Sequence, residues 1–230
     1  MLTLERLIAN RRPVLFMRTF LFAGSFDPPA NHHRKIIERL AAERAFLLEK
    51  EPEIPIEIRI WPVGPYSSKQ QIASPDQRKI MVHYAFRDID GVVFDWRDLK
   101  RQGGFTSNMR MQADLSLLPR PELAALYFTP NDAPRVLRDI YHVVGADNVP
   151  EIMDWNEGYD LWHNAQFIVT RRRGFTIDKL PPHATVFDVE FSGSCTEIRQ
   201  LISEGKPWEH TVHPKVAEHI RINRLYGFKP

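Results

Sequence analysis

The 230-residue sequence has one cysteine, little net charge and no apolar run long enough to cross a membrane. The single Cys195 excludes an internal disulfide, so nothing indicates an oxidising compartment and the cytoplasm is the default expectation. The apolar stretch from Val14 to Ala23 is interrupted by Arg18 and is shorter than the ~20 residues of a transmembrane helix. No small-x-small cleavage pattern precedes Gly24, so a secretory signal and a membrane partner are not expected.

Charge and composition narrow the class of protein further. The 31 basic and 29 acidic residues leave a net charge of +2 that is spread along the chain, so long nucleic acid is not an expected partner. With 43% hydrophobic and 26% charged residues, the chain is neither disordered nor collagen-like. Its length suits one large or two small domains with a self-sufficient core.

Short apolar runs alternate with helical patterns along the chain. Strands are predicted at residues 19–23, 55–61, 92–94, 141–144, 165–169 and 184–187. Helices are predicted after residue 31, at 75–88 and at 106–118, whereas four prolines leave 119–139 unassigned. This alternation predicts an α/β, Rossmann-like doubly wound fold, with a mostly parallel sheet, helices on both faces and a small helical C-terminal part. Residues 1–17 are interpreted as an N-terminal extension of a single domain at 18–230.

The loop after the first strand has the features of a phosphate site. It runs from Gly24 to His33 with the sequence GSFDPPANHH and leads directly into a helix. Glycine lets the backbone approach a ligand, and the helix N-terminus offers N–H groups and a partial positive charge to an anion. The loop matches neither G-x-G-x-x-G nor G-x-x-x-x-G-K-[ST], so the residues by themselves indicate only an anion.

A second candidate segment lies near the end of the chain, with the sequence SCTEIR at 194–199. Ser194 and Glu197 have the spacing of a capping box, which would simply start a helix. Because a capped helix start is also an anion site, both interpretations stay open. Cys195 has no base beside it in the sequence and is expected to be a small packing residue.

These two segments together resemble the nucleotidyltransferase superfamily, with its [H/T]-x-x-H loop and its late S-[ST]-T-x-I-R motif. Three further segments are similar to the nicotinate or nicotinamide mononucleotide adenylyltransferases. They are Gly145-Ala-Asp147-Asn with Trp155, the run Arg171 to Gly174, and the tail at 212–227. The resemblance spans about residues 18–228, with the motifs in the order that the family has.

The resemblance implies adenylyl transfer from ATP to nicotinate mononucleotide, giving nicotinate adenine dinucleotide and pyrophosphate, a step of NAD biosynthesis. It assigns the α-phosphate to His33, the β- and γ-phosphates to Arg199, and a supporting charge to Lys69. Further ATP contacts are assigned to Gly24, Ser25, Phe26, His32, Arg172, Ser194 and Thr196. The mononucleotide is assigned to Thr106, Gly145, Asp147 and Trp155. Mg²⁺ is expected to arrive with ATP, bound mainly through phosphates and water.

The chain departs from the family pattern at Ala30, where the family has His or Thr. A lost charge-assisted hydrogen bond is worth about 1.5–3 kcal/mol, which predicts a weakened or rearranged site in which His32 or Asn31 compensates. A family member that binds nucleotide without turnover is therefore an alternative. Nicotinamide mononucleotide, phosphopantetheine and a cytidylyl acceptor are alternative substrates, although Trp155 and the C-terminal match favour a pyridine nucleotide.

Several of these residues also have purely structural interpretations. Trp155 could be a core aromatic, Asp147 could cap a turn, and the arginines at 171–173 could form a solvated cluster. His32 and His33 as metal ligands would need partners at sensible spacing, but the other histidines are scattered, so no metal held by the protein is predicted. The sequence leaves the oligomeric state open, a homo-oligomer included.

Overall fold

A computed structural model describes residues 14–64, 72–100, 135–155, 157–172, 176–190 and 193–230. Six strands form one sheet: β1 (Val14–Gly24), β2 (Ile56–Pro62), β3 (Val92–Phe94), β4 (Arg135–Gly145), β5 (Gln166–Arg172) and β6 (Ala184–Val189). Their order is β3-β2-β1-β4-β5-β6, and every neighbouring pair is parallel. The predicted doubly wound parallel sheet is confirmed.

Among the described residues, five α-helices accompany these strands: α1 (Asn31–Lys50), α2 (Pro75–Phe86), α3 (Gly158–Asn164), α4 (Cys195–Ser203) and α5 (Pro214–Ile222). Short 3₁₀ turns occur at Asp98–Lys100, Ala146–Asp154, Glu209–Thr211 and Leu225–Gly227. In the described part of the chain, no helix combines the length and the apolar character needed to span a bilayer.

The sheet has a hydrophobic core on each face. On one face, Phe20 and Phe22 of β1 pack with buried residues of α1, α2, α4 and α5. On the other face, Phe167 and Val169 of β5 pack with α3 and with the 146–154 turn. Since successive side chains of a strand point to opposite faces, strands that are buried on both sides need the near-continuous apolar runs seen in β1 and β5.

Two boundaries differ from the sequence prediction. β1 begins at Val14, where it pairs with Arg135, four residues before the predicted start of the domain at 18. β4 begins at Arg135, inside the stretch that the prolines left unassigned. Charged residues in both strands hid this pairing in the sequence, since a charged residue is unusual in a buried strand. The structure accommodates Arg18 of β1 by an ion pair with Asp139 of β4, at 3.5 Å. The predicted helix at 106–118 and residues 1–13 lie outside the described residues.

β2 is buried on both faces, although its sequence alternates between apolar and polar residues. Alternation is typical of a strand with one solvated face, yet all seven residues of β2 are buried. Arg59 donates hydrogen bonds to Glu57 Oε1 at 2.9 Å and to Asp95 Oδ2 at 3.0 Å. Thr19 of β1 donates to the same Glu57 oxygen at 2.9 Å. These hydrogen bonds replace the ones that the charged groups would make to water, and a charged group can be buried only when they are replaced.

His142, in the middle of β4, makes stability depend on pH. Burial lowers its pKa from 6.5 to about 4. Between these values the unfolded chain binds a proton that the folded protein excludes, so stability is full above 6.5 and falls as the pH drops towards 4. We expect His142 to account for a loss of about 2 kcal/mol between about pH 7 and pH 5. Urea unfolding at both pH values measures it, and an equally steep dependence in His142→Gln would contradict this origin.

Candidate active site

The carboxyl ends of β1 and β4 mark the position of a ligand site in this topology. Chain order reverses between these two strands, because β1 leads outward to β2 whereas β4 leads outward to β5. Phe22 is in register with Val143, which places Gly24 and Gly145 at the same edge of the sheet. Open α/β sheets bind ligands in the crevice at such a switch point.

The loop after β1 is shaped by packing around Phe26. Phe26 has a φ of +47°, a left-handed conformation that is unfavourable for a bulky residue. Its ring is 1% exposed and contacts Phe22, Phe86 and His33, which holds the strained turn in place. A Cβ on Gly24 would lie 3.1 Å from this ring, a tight contact that glycine avoids. The Phe26 side chain belongs to the core, which leaves only its backbone for the predicted ATP contact.

Asp27 is the anchor of the loop, a role that the sequence prediction did not assign. Its carboxylate is 1% exposed and accepts hydrogen bonds from the backbone N–H groups of Ile72 and Ala73, at 2.6 and 3.2 Å. It also accepts one from the Tyr226 hydroxyl at 2.6 Å. Burial, and then the Asp27 charge, raise the pKa of Tyr226, so the phenol keeps its proton. The C-terminal segment thus fixes the loop from 199 residues away in sequence.

Replacing Tyr226 with phenylalanine removes only the hydroxyl that donates to Asp27. We expect a loss of about 1.5–3 kcal/mol in the free energy of unfolding, because a buried carboxylate loses one of its hydrogen bonds. Urea denaturation measures this loss. Tyr159→Phe is the matched control, since Tyr159 is 65% exposed. Equal stability of the two variants would mean that the Asp27 bond contributes nothing.

Arg78 reinforces the same loop from α2. Its side chain is fully buried and donates through Nη1 to the backbone oxygens of Ser25 and Val63, both at 2.8 Å. Burial lowers the pKa of this guanidinium. Arg78 thereby ties the ends of β1 and β2 together beneath the predicted phosphate site. Its spacing in the sequence gave no signal, because the contact exists only once α2 packs against the sheet.

His33 is held in one orientation at the start of α1. The Ala30 N–H donates to His33 Nδ1 at 3.0 Å, and the Phe26 ring lies edge-on at 5.0 Å from the imidazole. Because Nδ1 accepts a hydrogen bond, the neutral ring carries its proton on Nε2. His33 therefore presents Nε2–H as a donor, which suits contact with an anionic oxygen.

The N-terminus of α4 lies against this loop. Ser194 caps the helix by accepting from the Glu197 N–H at 3.2 Å, as its spacing predicted. Arg199 donates from Nη1 to the Asp27 carbonyl at 2.7 Å and from Nη2 to Thr196 Oγ1 at 3.1 Å. Cys195 Sγ donates to the Pro28 carbonyl at 3.4 Å and lies 4.0 Å from Nε2 of both His32 and His33. Two helix N-termini and a guanidinium therefore converge, which is a strong setting for an anion.

The residues predicted for the mononucleotide lie at the end of β4. Gly145 ends the strand, and its lack of a Cβ leaves room for the Asp147 carboxylate in its observed position. Asp147 is exposed and accepts from the Asn148 amide at 3.2 Å. Trp155 is partly buried against the core on its side of the sheet. The structure thus leaves Asp147 accessible and gives Trp155 a packing role as well.

For three of the predicted residues the structure describes no side chain, and the roles of all the predicted site residues stay predictions. Lys69 and Thr106 lie outside the described residues. Arg172 is the last residue of β5, but its side chain is also outside the description. Its neighbour Arg171 is engaged with Asp188 of β6 at 2.7 Å, as expected for a structural ion pair. Nine of the other eleven predicted residues lie at or beside the carboxyl ends of β1 and β4 or at the start of α4: Gly24, Ser25, Phe26, His32, His33, Gly145, Asp147, Ser194 and Thr196. The remaining two, Arg199 and Trp155, lie nearby.

A family model described as Cytidylyltransferase-like matches residues 21–201, which include both helix N-termini of this site. The chain belongs to the cytidylyltransferase-like family. The match runs from the last four residues of β1 through β6 and includes most of α4. The predicted nucleotidyltransferase superfamily is therefore confirmed.

Curated relatives place the chain more narrowly within this family. It is 28% identical over 207 residues to the probable nicotinate-nucleotide adenylyltransferase of Kineococcus radiotolerans, and covers 88% of each protein. It is 25% identical to the nicotinate-nucleotide adenylyltransferase of Bacillus subtilis, with 90% of this chain and 96% of the relative covered. The resemblance to this enzyme class, predicted from the motifs, is confirmed.

Solved structures agree on the fold. The nicotinic acid mononucleotide adenylyltransferase of Plasmodium falciparum, complexed with APC, superimposes with a TM-score of 0.64 at 19% identity. The alignment covers 93% of this chain and 98% of that one. The same enzyme complexed with NaAD gives a TM-score of 0.62 at 18% identity.

Proposed function

We propose that this protein of the cytidylyltransferase-like family transfers the adenylyl group of ATP to nicotinate mononucleotide. The products are nicotinate adenine dinucleotide and pyrophosphate, a step of NAD biosynthesis. The observation that carries the proposal is the convergence of His33, Arg199 and two helix N-termini at the switch point of the sheet. The names of the relatives supply the acceptor.

The reaction needs positioning and charge stabilisation rather than a general base. An ionised phosphate oxygen of the mononucleotide attacks the α-phosphorus of ATP, and the bond from that phosphorus to the bridging oxygen of the β-phosphate breaks. The electron pair leaves with pyrophosphate. His33 would donate Nε2–H to the α-phosphate, where negative charge develops, and Arg199 with the start of α4 would hold the β- and γ-phosphates.

Ala30 is compatible with turnover in this arrangement. Its side chain is 2% exposed, and its backbone N–H still orients His33. The His32 ring lies beside that of His33, with the centroids 4.0 Å apart. His32 is therefore placed to supply the second imidazole contact that Ala30 lacks.

Mg²⁺ would reach this site on the nucleotide. Among the described residues, Asp27 supplies a carboxylate in the loop, but it is 1% exposed and accepts hydrogen bonds from Ile72, Ala73 and Tyr226. A buried carboxylate with these partners is a poor ligand for an arriving ion, so the ion would be held by phosphate oxygens and water, as Mg²⁺ commonly is. When bound, it would neutralise phosphate charge.

The test is chromatographic. Purified protein with Mg-ATP is offered nicotinate mononucleotide in one reaction and nicotinamide mononucleotide in another, and dinucleotide and pyrophosphate are followed. We expect product with the nicotinate form, and the ratio of rates gives the acceptor preference. Faster turnover of the nicotinamide form would overturn the acceptor. ATP binding with no product from either would favour a nucleotide-binding protein without turnover.

A further inference from the structure

A cluster of metal-ligating side chains lies between the two helix N-termini. His32, His33 and Cys195 each offer one ligand atom, and the three atoms lie within 4.8 Å of one another. The sulfur is 4.0 Å from Nε2 of each histidine. All three side chains are half-buried, so an ion from solvent can reach them.

The donor set suits a soft transition metal. Imidazole nitrogen and thiolate sulfur are the ligands that Zn²⁺ prefers, with bonds of about 2.0–2.1 and 2.3 Å. In a tetrahedral site with these bond lengths, a nitrogen and a sulfur on one ion are about 3.6 Å apart. The observed 4.0 Å therefore needs only a small movement of the side chains when the ion binds. Three protein ligands also leave the fourth tetrahedral position open, as in zinc sites that exchange a bound water.

We propose that His32, His33 and Cys195 form a Zn²⁺-binding site, and that Zn²⁺ and ATP cannot bind to the protein at the same time. The ion binds the two Nε2 atoms and the Cys195 thiolate, and the thiol proton is released to solvent. The expectation that the protein holds no metal depended on spacing along the chain. The fold adds a third ligand that lies 162 residues from His33 in sequence.

Binding has a defined consequence for His33. A histidine that binds metal through Nε2 carries its proton on Nδ1, whereas the Ala30 N–H now donates to Nδ1. Zn²⁺ binding therefore breaks the Ala30 bond and moves the proton from Nε2 to Nδ1. This consumes the donor that the proposed function assigns to the α-phosphate, so the exclusion of ATP rests on that function.

The metal site is tested on the metal-free full-length protein without substrate. Co²⁺ is used as a spectroscopic probe and Zn²⁺ in calorimetry. We expect one ion per chain, a thiolate-to-cobalt charge-transfer band, and at least ~10-fold weaker binding in Cys195→Ser and in His32→Ala. His183→Ala, an exposed histidine elsewhere, is the control that should bind normally. Absence of stoichiometric binding, or a Cys195→Ser variant that keeps the affinity, would overturn the site.

Nitrogen-15 NMR of the imidazoles shows which nitrogen of His33 carries the proton. This position would not change if the three residues had only a structural role. The proton of His33 should shift from Nε2 to Nδ1 when Zn²⁺ is added, and its persistence on Nε2 would contradict coordination. Competition is then measured as the apparent affinity for ATP with and without Zn²⁺. A cobalt band with unchanged ATP affinity would establish the metal site and overturn both the exclusion and the placement of the phosphates.

Discussion

Replacing His33 with alanine is expected to lower kcat by about 10²–10³-fold, the effect of removing one donor aimed at developing charge. Its Nε2–H is oriented by the Ala30 N–H and by the Phe26 ring, so it needs little reorganisation during the reaction. Affinity for ATP should change less than kcat, because the contact strengthens as the α-phosphate accumulates charge. Steady-state kinetics with calorimetric ATP binding separates the two quantities.

Two further variants make the His33 result interpretable. His183→Ala removes an exposed histidine and should leave the rate unchanged. His33→Gln keeps an amide that can accept from Ala30 and donate to phosphate, and we expect an intermediate rate. Thermal melting checks that the loop still folds. Turnover of His33→Ala within about twofold of the wild type would remove His33 from the proposed mechanism.

Replacing Arg199 with alanine is expected to lower kcat/KM by about 10²–10³-fold, through both a weaker affinity for ATP and a slower reaction. Arg199 donates one N–H to the Asp27 carbonyl and one to Thr196 Oγ1, and these two bonds fix the guanidinium between the loop and α4. The proposed function assigns the remaining N–H groups of its planar fork to phosphate oxygens. Pyrophosphate inhibition provides an independent measure, and should weaken in parallel.

Arg199→Lys distinguishes charge from geometry. Lysine keeps the charge without the fork, so we expect it to recover part of the ATP affinity and little of the bond to Asp27. Arg221→Ala is the matched control, because Arg221 is an exposed arginine paired with Glu209 on the C-terminal side. If Arg199→Ala lowered the melting temperature but left pyrophosphate inhibition intact, Arg199 would be a structural residue of the loop only.

The relation between Arg199 and Tyr226 shows why the loop after β1 depends on distant parts of the chain. Both residues bind Asp27, Arg199 through its carbonyl and Tyr226 through its carboxylate. Under the proposed function, phosphate binding is therefore coupled to the docking of α4 and of the C-terminal segment. A variant at Tyr226 that retains its fold should accordingly raise the KM for ATP more than it lowers kcat.

The sequence by itself determined the fold class and the two segments that meet at the candidate site. Apolar runs such as 19–23 and 165–169 are long enough to register as buried strands, and glycine, proline and capping serine act within a few residues of their own position. The Ser194 cap could be predicted because its partner, Glu197, lies one helical turn away. Local chemistry of this kind is visible in the order of residues.

Only the tertiary structure decided how those segments meet. Some features of the site depend on residues that are distant in sequence, such as the anchoring of Asp27 by Tyr226 and the approach of Cys195 to the two histidines. Others depend on orientation, such as the tautomer of His33 and the burial of both faces of β2. From the sequence, a charged residue in a strand is predicted to face solvent, because its hydrogen-bond partners are not visible there. Glu57 is buried because the fold places Arg59 and Thr19 beside it. Periodicity reports the faces of an element, whereas hydrogen-bond partners are set by the packing of the elements against one another.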